Sequence, residues 1–388
     1  MTKTALVLGT NAGQADLIRH LKDGDWTVHG CAHRAGGAGE AFVDAFHMTD
    51  ISKPDEVTNL ARRIGADLVY SCSSDIAVRG VMAASEAMGL PYFFDTDLVD
   101  LFNQKTRLRG WLNEQGLSPV PFVRLTDAAE AAAWDVFPCI VKPSDSQGQR
   151  GVAKVERRED LIGRVETAIA LSPTGSAMIE AYLSGVEIST NVLVSGGRIV
   201  VAELSERLVH GDHLIGVPSG HLIPTANVAQ RDIDAADVLV RTVVERLKIT
   251  NGCLYFQMKV TPEGPRIVEI APRIDGCHIW RLILAARGFD FMDLTIRTLT
   301  GEVLPVIEGR DTEGAVYELM FQQTPPGTVF DSADFPRPAD AIYHEWRYQD
   351  GDTVGAINGR LEVVGYYVRV SPEWTRRRAE VLGEGARS

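Results

Sequence analysis

Lys142 closes an apolar run, Phe137 to Val141, and is followed by Pro143 and a polar loop of small residues: Ser144, Asp145, Ser146, Gln147, Gly148, Gln149, Arg150 and Gly151. Small residues let backbone N–H groups approach phosphate oxygens closely. A lysine beside them adds a point charge. Each feature also has a plainer reading, a snorkelling surface lysine or an ordinary hairpin. Farther along, Gln257 and Glu269 lie on two apolar segments, Leu254 to Met258 and Ile267 to Ile270, on either side of a Glu263–Gly264 turn. If those segments pair, both side chains can face one cavity. An amide oxygen and a carboxylate beside bound phosphates make a reasonable magnesium site, since that ion takes few protein oxygens. Glu269 could equally form a structural ion pair with Arg273.

These residues need elements to hold them. In residues 1–95, strand signals at Ala5–Leu8, Thr27–Ala32 and Asp67–Ser73 alternate with helical ones. Val57, Leu60, Ala61 and Ile64 mark one helical face, and Val78 to Met88 reads as a helix ended by Gly89. Such alternation predicts a parallel sheet with crossover helices. The turn Gly9, Thr10, Asn11, Ala12, Gly13 and Gln14 sits where a dinucleotide fold binds pyrophosphate. The full glycine pattern is missing, and the second strand ends in His29, Gly30, Cys31 and Ala32 with no acidic residue for a ribose. A nicotinamide dehydrogenase is therefore excluded. A tight turn, or a small-molecule contact at a helix N-terminus, remains.

Residues 96–118 read as a helical linker. A strand at Cys139–Val141, another at Val152–Val155 and a helix from Arg158 to Ala170 follow. Glu187–Val194 and Arg198–Leu204 read as paired strands turning at Ser195, Gly196 and Gly197. Ile233, Ala236, Val240, Val243, Val244 and Leu247 mark an amphipathic helix. From Pro305 the chain is strand-rich, with basic residues at Arg376 to Arg378. The segment Leu208 to Ala226 carries His210, His213 and His221 among glycines and prolines. No regular spacing groups these histidines, so a mobile loop near substrate is expected there rather than a zinc site.

The 388 residues suggest two to three domains. With 45% hydrophobic and 23% charged residues the composition is globular. The net charge of −13 repels phosphate backbones and anionic lipid, arguing against nucleic acid and membrane partners. Five widely spaced cysteines without a CxxC pair point to reduced thiols rather than a disulfide framework or zinc site. MTKTALVLGT runs straight into a strand, with no signal-like segment or spanning apolar run, so a cytoplasmic protein is expected.

Taken in order, these segments resemble the ATP-grasp superfamily, in particular its carbamoyl-phosphate-synthase-like and L-amino-acid-ligase-like branch. NQKTRLRGWLNEQGLSPVP is similar to the helix bearing the first nucleotide lysine, here Lys105. FPCIVKPSDSQGQRGVAKV is similar to the second-lysine strand and phosphate loop, with Lys142 and Ser144 to Gly151. MIEAYLSGVEIS resembles the adenine hinge. That likeness implies that Glu180, Ala181, Tyr182 and Leu183 line the adenine and Glu187 meets the ribose. YFQMKVTPEGPRIVEIAPRIDGCHI resembles the magnesium hairpin, implying Gln257 and Glu269 as ligands and Arg273 facing the reacting group.

The implied fold combines α/β and α+β parts. They are a Rossmann-like pre-ATP-grasp domain (1–95), a linker helix with a mobile lid (96–183), a catalytic subdomain (184–305) and a C-terminal strand-rich subdomain (306–388). His278 matches the family's Gly-x-His-Ile pattern and, with Arg281 and His221, is a candidate substrate contact; a helix N-terminal histidine satisfied by backbone is the alternative. The implied activity is an ADP-forming carboxylate–amine ligase that uses ATP with magnesium or manganese. Bicarbonate-activating and non-catalytic nucleotide-binding relatives are alternatives, and homodimers are common in the family. Two departures stand out. Gln257 replaces a frequent glutamate, and Ala271 stands where most members have asparagine, leaving one or two magnesium ions open.

Overall fold

The computed structural model describes residues 2–145, 150–211, 214–356 and 360–385, with side chains up to 382. Among them the strands form three sheets.

The first is parallel, in the order β3 (Ala45–Met48), β2 (Thr27–Ala32), β1 (Thr4–Leu8), β4 (Leu68–Tyr70). The central strands β1 and β4 are nearly continuous buried apolar runs, as strands covered on both faces are. Helix α1 (Ala12–Asp23) begins at Asn11, whose side chain accepts from the Gln14 amide at 3.1 Å. Helix α2 spans Pro54–Ile64, and α3 (Asp75–Met88) ends at Gly89 in the left-handed region. Strand β3 was not foreseen.

The linker is two helices, α4 (Thr96–Asn103) and α5 (Lys105–Glu114), broken at Gln104. Their apolar side chains Val99, Phe102, Leu108 and Leu112 share one core with Ile188, Val240 and Leu254. They therefore belong to the central body rather than to the lid.

The second sheet, expected to serve as the lid, is antiparallel: β5 (Phe122–Leu125), β8 (Ala177–Ala181), β6 (Cys139–Pro143), β7 (Ala153–Val155), with α6 (Arg158–Leu171) packed on it. It has its own small core, including Leu125, Val141, Leu161, Val165 and Ile179.

The central sheet runs β13 (Gly264–Ala271), β12 (Gly252–Thr261), β9 (Val186–Ser195), β10 (Arg198–Val209), β11 (Pro218–Ile223), β14 (Tyr317–Thr324), β16 (Glu362–Val370), β15 (Tyr343–Trp346). Helices α7 (Gln230–Arg246), α8 (Ile279–Arg287), α9 (Phe291–Leu299) and α10 (Pro372–Gly385) complete the chain. The β9–β10 turn uses Gly196 and Gly197 at φ 58° and 74°, a pair of positive angles that suits the twist of a two-residue hairpin. The C-terminal strands extend the central sheet through the β11–β14 pairing. One finding differs from the sequence reading: His221 lies within strand β11, not in a loop. His213 of that segment lies outside the described residues. Among the described residues no helix is long and apolar enough to cross a membrane.

Candidate active site

Lys142 stands at the end of β6, where Ile140 is opposite Glu180 of β8. Lys142 and Glu180 are thus diagonal neighbours on one face. The Lys142 ammonium meets Glu180 Oε1 at 2.5 Å, and its side chain is only 8% exposed. The second Glu180 oxygen lies 3.3 Å from Arg109 Nε. Arg109, on α5, also donates to the carbonyls of Ser118 (3.2 Å) and Ile267 (2.6 Å). A chain of charge therefore runs from the lid through α5 to β13, two residues short of Glu269. Burial holds the Lys142 ammonium below its usual range; Glu180 opposes that, while Arg109 and Lys105 add to it. For Glu180 burial pushes up, but Lys142 and Arg109 together bring the carboxyl below its ordinary value.

Lys105 opens α5, and its backbone N–H donates to Ser144 at 3.3 Å, which seats that helix end beside the start of the phosphate loop. Of the loop, Ser146, Gln147, Gly148 and Gln149 lie outside the described residues. Its base is tied by Asp145, which accepts from Ser172 Oγ (2.6 Å) and the Thr174 amide (3.0 Å). Gly151 closes it against Pro143.

The hinge after β8 is anchored by backbone bonds from Ala181 to Pro121 (3.0 Å) and from Tyr182 to Pro138 (3.1 Å), with Leu183 next in the chain. The Tyr182 ring lies between Lys154 of the lid, 4.6 Å from its centroid, and Lys259 of β12, at 5.0 Å. Glu187, the implied ribose contact, is buried and engaged by protein. Its oxygens meet Arg207 at 2.6 Å, Gln257 Nε2 at 3.1 Å and Lys259 at 3.4 Å. A ribose would have to share that carboxylate.

Gln257 and Glu269 are direct cross-strand partners in the β12–β13 hairpin. Both are half-buried. Because the Gln257 amide nitrogen is spent on Glu187, its oxygen is the end left for a cation. These are hard oxygen donors on adjoining strands, so the pair fits a magnesium-type ion. Ala271, opposite Tyr255, is buried and adds no donor.

The loop after β13 is gripped by the parallel domain. Arg273 forms a two-pronged pair with Asp75 at the start of α3, with NH2 at 2.8 Å from Oδ2. It pairs with Asp75 instead of Glu269. The Ile274 amide donates to the Cys72 carbonyl at 3.0 Å. Gln14, placed by the N-terminal turn, holds Ser71 (3.0 Å) and the Cys72 amide (3.1 Å), so this turn serves as a structural brace. Asp16 accepts from Trp280 Nε1 (2.8 Å), Arg281 (2.7 Å) and Arg19 (2.5 Å). Burial alone would raise its pKa; His278, Arg281 and Arg19 hold it well below the carboxylate range.

His278 is buried, 1% exposed. It sits at φ 54°, stacks on Tyr366 at 4.3 Å and meets Arg347 at 2.5 Å. Its Nε2 is engaged by the Arg347 side chain, while Nδ1 lies 3.6 Å from Asp16 without a hydrogen bond. Arg281 is half-exposed, 4.5 Å from the Tyr343 ring. His221 is fully buried beside Ser205 and Asp275. His278 and Arg281 thus share the Asp16 carboxylate, whereas His221 lies apart beside Asp275. Asp16, Asp75, Arg109, Arg207 and Arg347 were missed because nothing in their local sequence marks partners so distant along the chain.

The ATP-grasp domain family matches residues 135–280, from the Lys142 strand to His278. Those residues are what this chain shares with the ATP-grasp domain. It is 27% identical over 381 residues to the phosphoribosylamine–glycine ligase of Streptomyces coelicolor, covering 92% of this chain and 89% of the relative. It is 26% identical over 208 residues to the carbamoyl phosphate synthase large chain of Pseudothermotoga lettingae, covering 52% of this chain but 17% of that longer protein. The L-amino acid ligase of Bacillus licheniformis superposes with a TM-score of 0.78 at 15% identity, over 98% of this chain and 97% of that one. The ATP-grasp fold is therefore continuous through the lid and central sheet, with the parallel domain in front and the C-terminal strands built into the central sheet.

Proposed function

We propose that this chain is an ATP-dependent, ADP-forming ligase that joins a carboxylate to an amine. The observation that carries the reading is the Gln257–Glu269 pair on β12–β13, linked through Arg109 to the buried Lys142–Glu180 pair of the lid. Together these supply a divalent-cation site and a lysine for the triphosphate. The near full-length likeness to a ligase in both directions supports the same conclusion.

In this reading Lys105, Lys142 and the 144–151 loop bind and neutralise the triphosphate, while Tyr182 and Leu183 border the adenine. Magnesium or manganese, held by Gln257 and Glu269, would spread the charge on the transferring phosphoryl group. A substrate carboxylate attacks the γ-phosphorus, ADP leaves, and an acyl phosphate forms. The amine then attacks the acyl carbon, phosphate leaves, and the amine gives up a proton. Water must be excluded between those steps, which a lid with a core of its own can do by closing. Arg273, fixed by Asp75, would hold the carboxylate or the developing oxyanion.

The likeness to carbamoyl phosphate synthase favours, as a second reading, activation of bicarbonate. Release of ADP and phosphate from magnesium ATP, measured over a grid of acids, amines and bicarbonate, separates them. The ligase reading requires release that depends on one acid–amine pair and falls at least about 100-fold in Glu269→Ala, with ATP still bound. Release with bicarbonate alone would replace it. ATP binding with no turnover on any pair would favour a nucleotide-binding regulator, for which Ala271 is the structural motive.

A further inference from the structure

Apart from the Gln257–Glu269 pair, His221, Asp275 and Cys277 form a cluster of a different chemical kind. His221 on β11 meets the segment after Arg273, where Asp275 and Cys277 are two residues apart. We propose that His221, Asp275 and Cys277 form a binding site for a soft divalent metal of the zinc class, separate from Gln257 and Glu269.

The ligand atoms all lie within 4.8 Å of one another, and His221 Nε2 is 3.7 Å from Asp275 Oδ2. Tetrahedral zinc bonds set neighbouring ligand atoms about 3.3–3.6 Å apart. The cluster is therefore within about 1 Å of a metal geometry. Burial makes the case stronger. His221 is 0% exposed and Asp275 is 4% exposed, yet His221 Nε2 and Asp275 Oδ2 have no hydrogen-bond partner. Buried polar atoms left unpaired are costly, and two such atoms facing each other mark a place for a missing ligand.

The surroundings orient each donor toward the same point. His221 Nδ1 lies 3.4 Å from Ser205 Oγ, which is 2.9 Å from Ser189 Oγ. That contact engages one ring nitrogen and leaves Nε2 to coordinate, as partners of metal-binding histidines do. Asp275 Oδ1 accepts the Cys277 amide at 3.2 Å, which leaves Oδ2 as a single donor. The Asp275 amide is itself held by Asn191 at 3.2 Å. Arg207 is the nearby cation that opposes a metal, but its charge is matched by Glu187 at 2.6 Å. A divalent ion would balance the Asp275 carboxylate and the Cys277 thiolate, with the thiol proton released to solvent. Thiolate and imidazole donors select zinc-class ions over magnesium, whereas the all-oxygen hairpin selects the reverse. Three protein ligands leave a fourth position open, as in zinc sites that admit water or a substrate atom.

The proposal does not depend on ligase activity, so the two can fail separately. Cobalt(II) is the probe, added to the full chain in the presence of excess magnesium. Expected is one equivalent bound per chain, with a thiolate-to-cobalt absorption band and visible bands of tetrahedral intensity, both displaced by zinc. Cys277→Ser should remove the thiolate band, and His221→Asn should weaken zinc binding at least about tenfold. Absence of the band in the unaltered chain, or its loss to magnesium, would overturn the proposal, and that test requires no variant to fold. A band that survives in a folded Cys277→Ser protein would assign it to another thiol and overturn the site as well.

Discussion

Replacing Glu180 by glutamine tests whether the lid lysine is held by a buried charge network. Glu180 lies 2.5 Å from Lys142 and 3.3 Å from Arg109. At an effective dielectric of about 20, those separations correspond to gross attractions of about 7 and 5 kcal/mol. Desolvation of three buried ions offsets most of that. What remains visible on removing one partner is about 3–5 kcal/mol, because two charges are stranded. Glu180→Gln should therefore destabilise the protein by that amount in urea unfolding at neutral pH. The pH dependence has a definite sign. The folded Lys142 pKa is already below its ordinary value, and loss of the carboxylate lowers it further. Between that folded value and about 10.5, the unfolded chain binds more protons, so stability rises with pH. The variant should thus recover stability relative to the unaltered protein as the pH is raised toward about 10.5. It should also bind ATP more weakly, since loss of the carboxylate disfavours the charged form of Lys142. Adding Lys142→Met to Glu180→Gln should cost less than the sum of the single changes by about 2 kcal/mol. Strict additivity, or a Glu180→Gln protein within 1 kcal/mol of the original and flat with pH, would refute the network.

Two further outcomes follow from other contacts. Asp16 has a folded pKa well below its ordinary value, so its stabilisation is complete above about pH 4 and is lost as pH falls further. Asp16→Asn should cost about 3 kcal/mol at neutral pH and lose that acid dependence, monitored by fluorescence of Trp280, which donates to Asp16; an unchanged acid-unfolding midpoint would contradict this. Gly185 has φ 131°, and a Cβ there would lie 1.8 Å from the Val260 carbonyl oxygen. Gly185→Ala should therefore cost at least about 3 kcal/mol, against about 1 kcal/mol for Gly197→Ala, where nothing lies within 4 Å; equal thermal shifts for the two would refute the steric argument.

Local signals were legible and long-range ones were not. The Gly196–Gly197 and Glu263–Gly264 hairpins were readable because positive φ angles demand glycine, and the first set the β9–β10 register. Pairing of Gln257 with Glu269 followed from the second turn. Strand β3 escaped notice because Ala45, Phe46, His47 and Met48 show no alternation; only its pairing with β2 makes it a strand. Pro218 and Gly220 made β11 look like a loop. Its place between β10 and β14 overrides those residues, and Gly220 is required there because a Cβ would strike the Leu319 carbonyl at 2.5 Å. The partners Asp75 and Arg273, or Asp16 and Arg281, carry no mark of each other, since a charge at a helix start normally reads as solvated.

The unforeseen contacts also assign different mechanical roles to the two sides of the site. The segment after Glu269 is held at Arg273 by Asp75, at Ile274 by Cys72, at Asp275 by Asn191 and at Arg281 by Asp16. Three of those four restraints come from the parallel domain, at the carboxyl ends of β1 and β4 where such sheets present ligands. A segment tied this often cannot shift without breaking buried charge pairs. The lid, in contrast, has its own core and meets the body at Glu180–Arg109, at the Lys105–Ser144 backbone bond and at the Tyr182 ring beside Lys154 and Lys259. On the proposed chemistry, the acceptor side is therefore preset and the ATP side moves. Substitutions at Asp75 or Asp16 should alter which acid and amine are accepted, whereas those at Glu180 or Tyr182 should alter how tightly ATP is held.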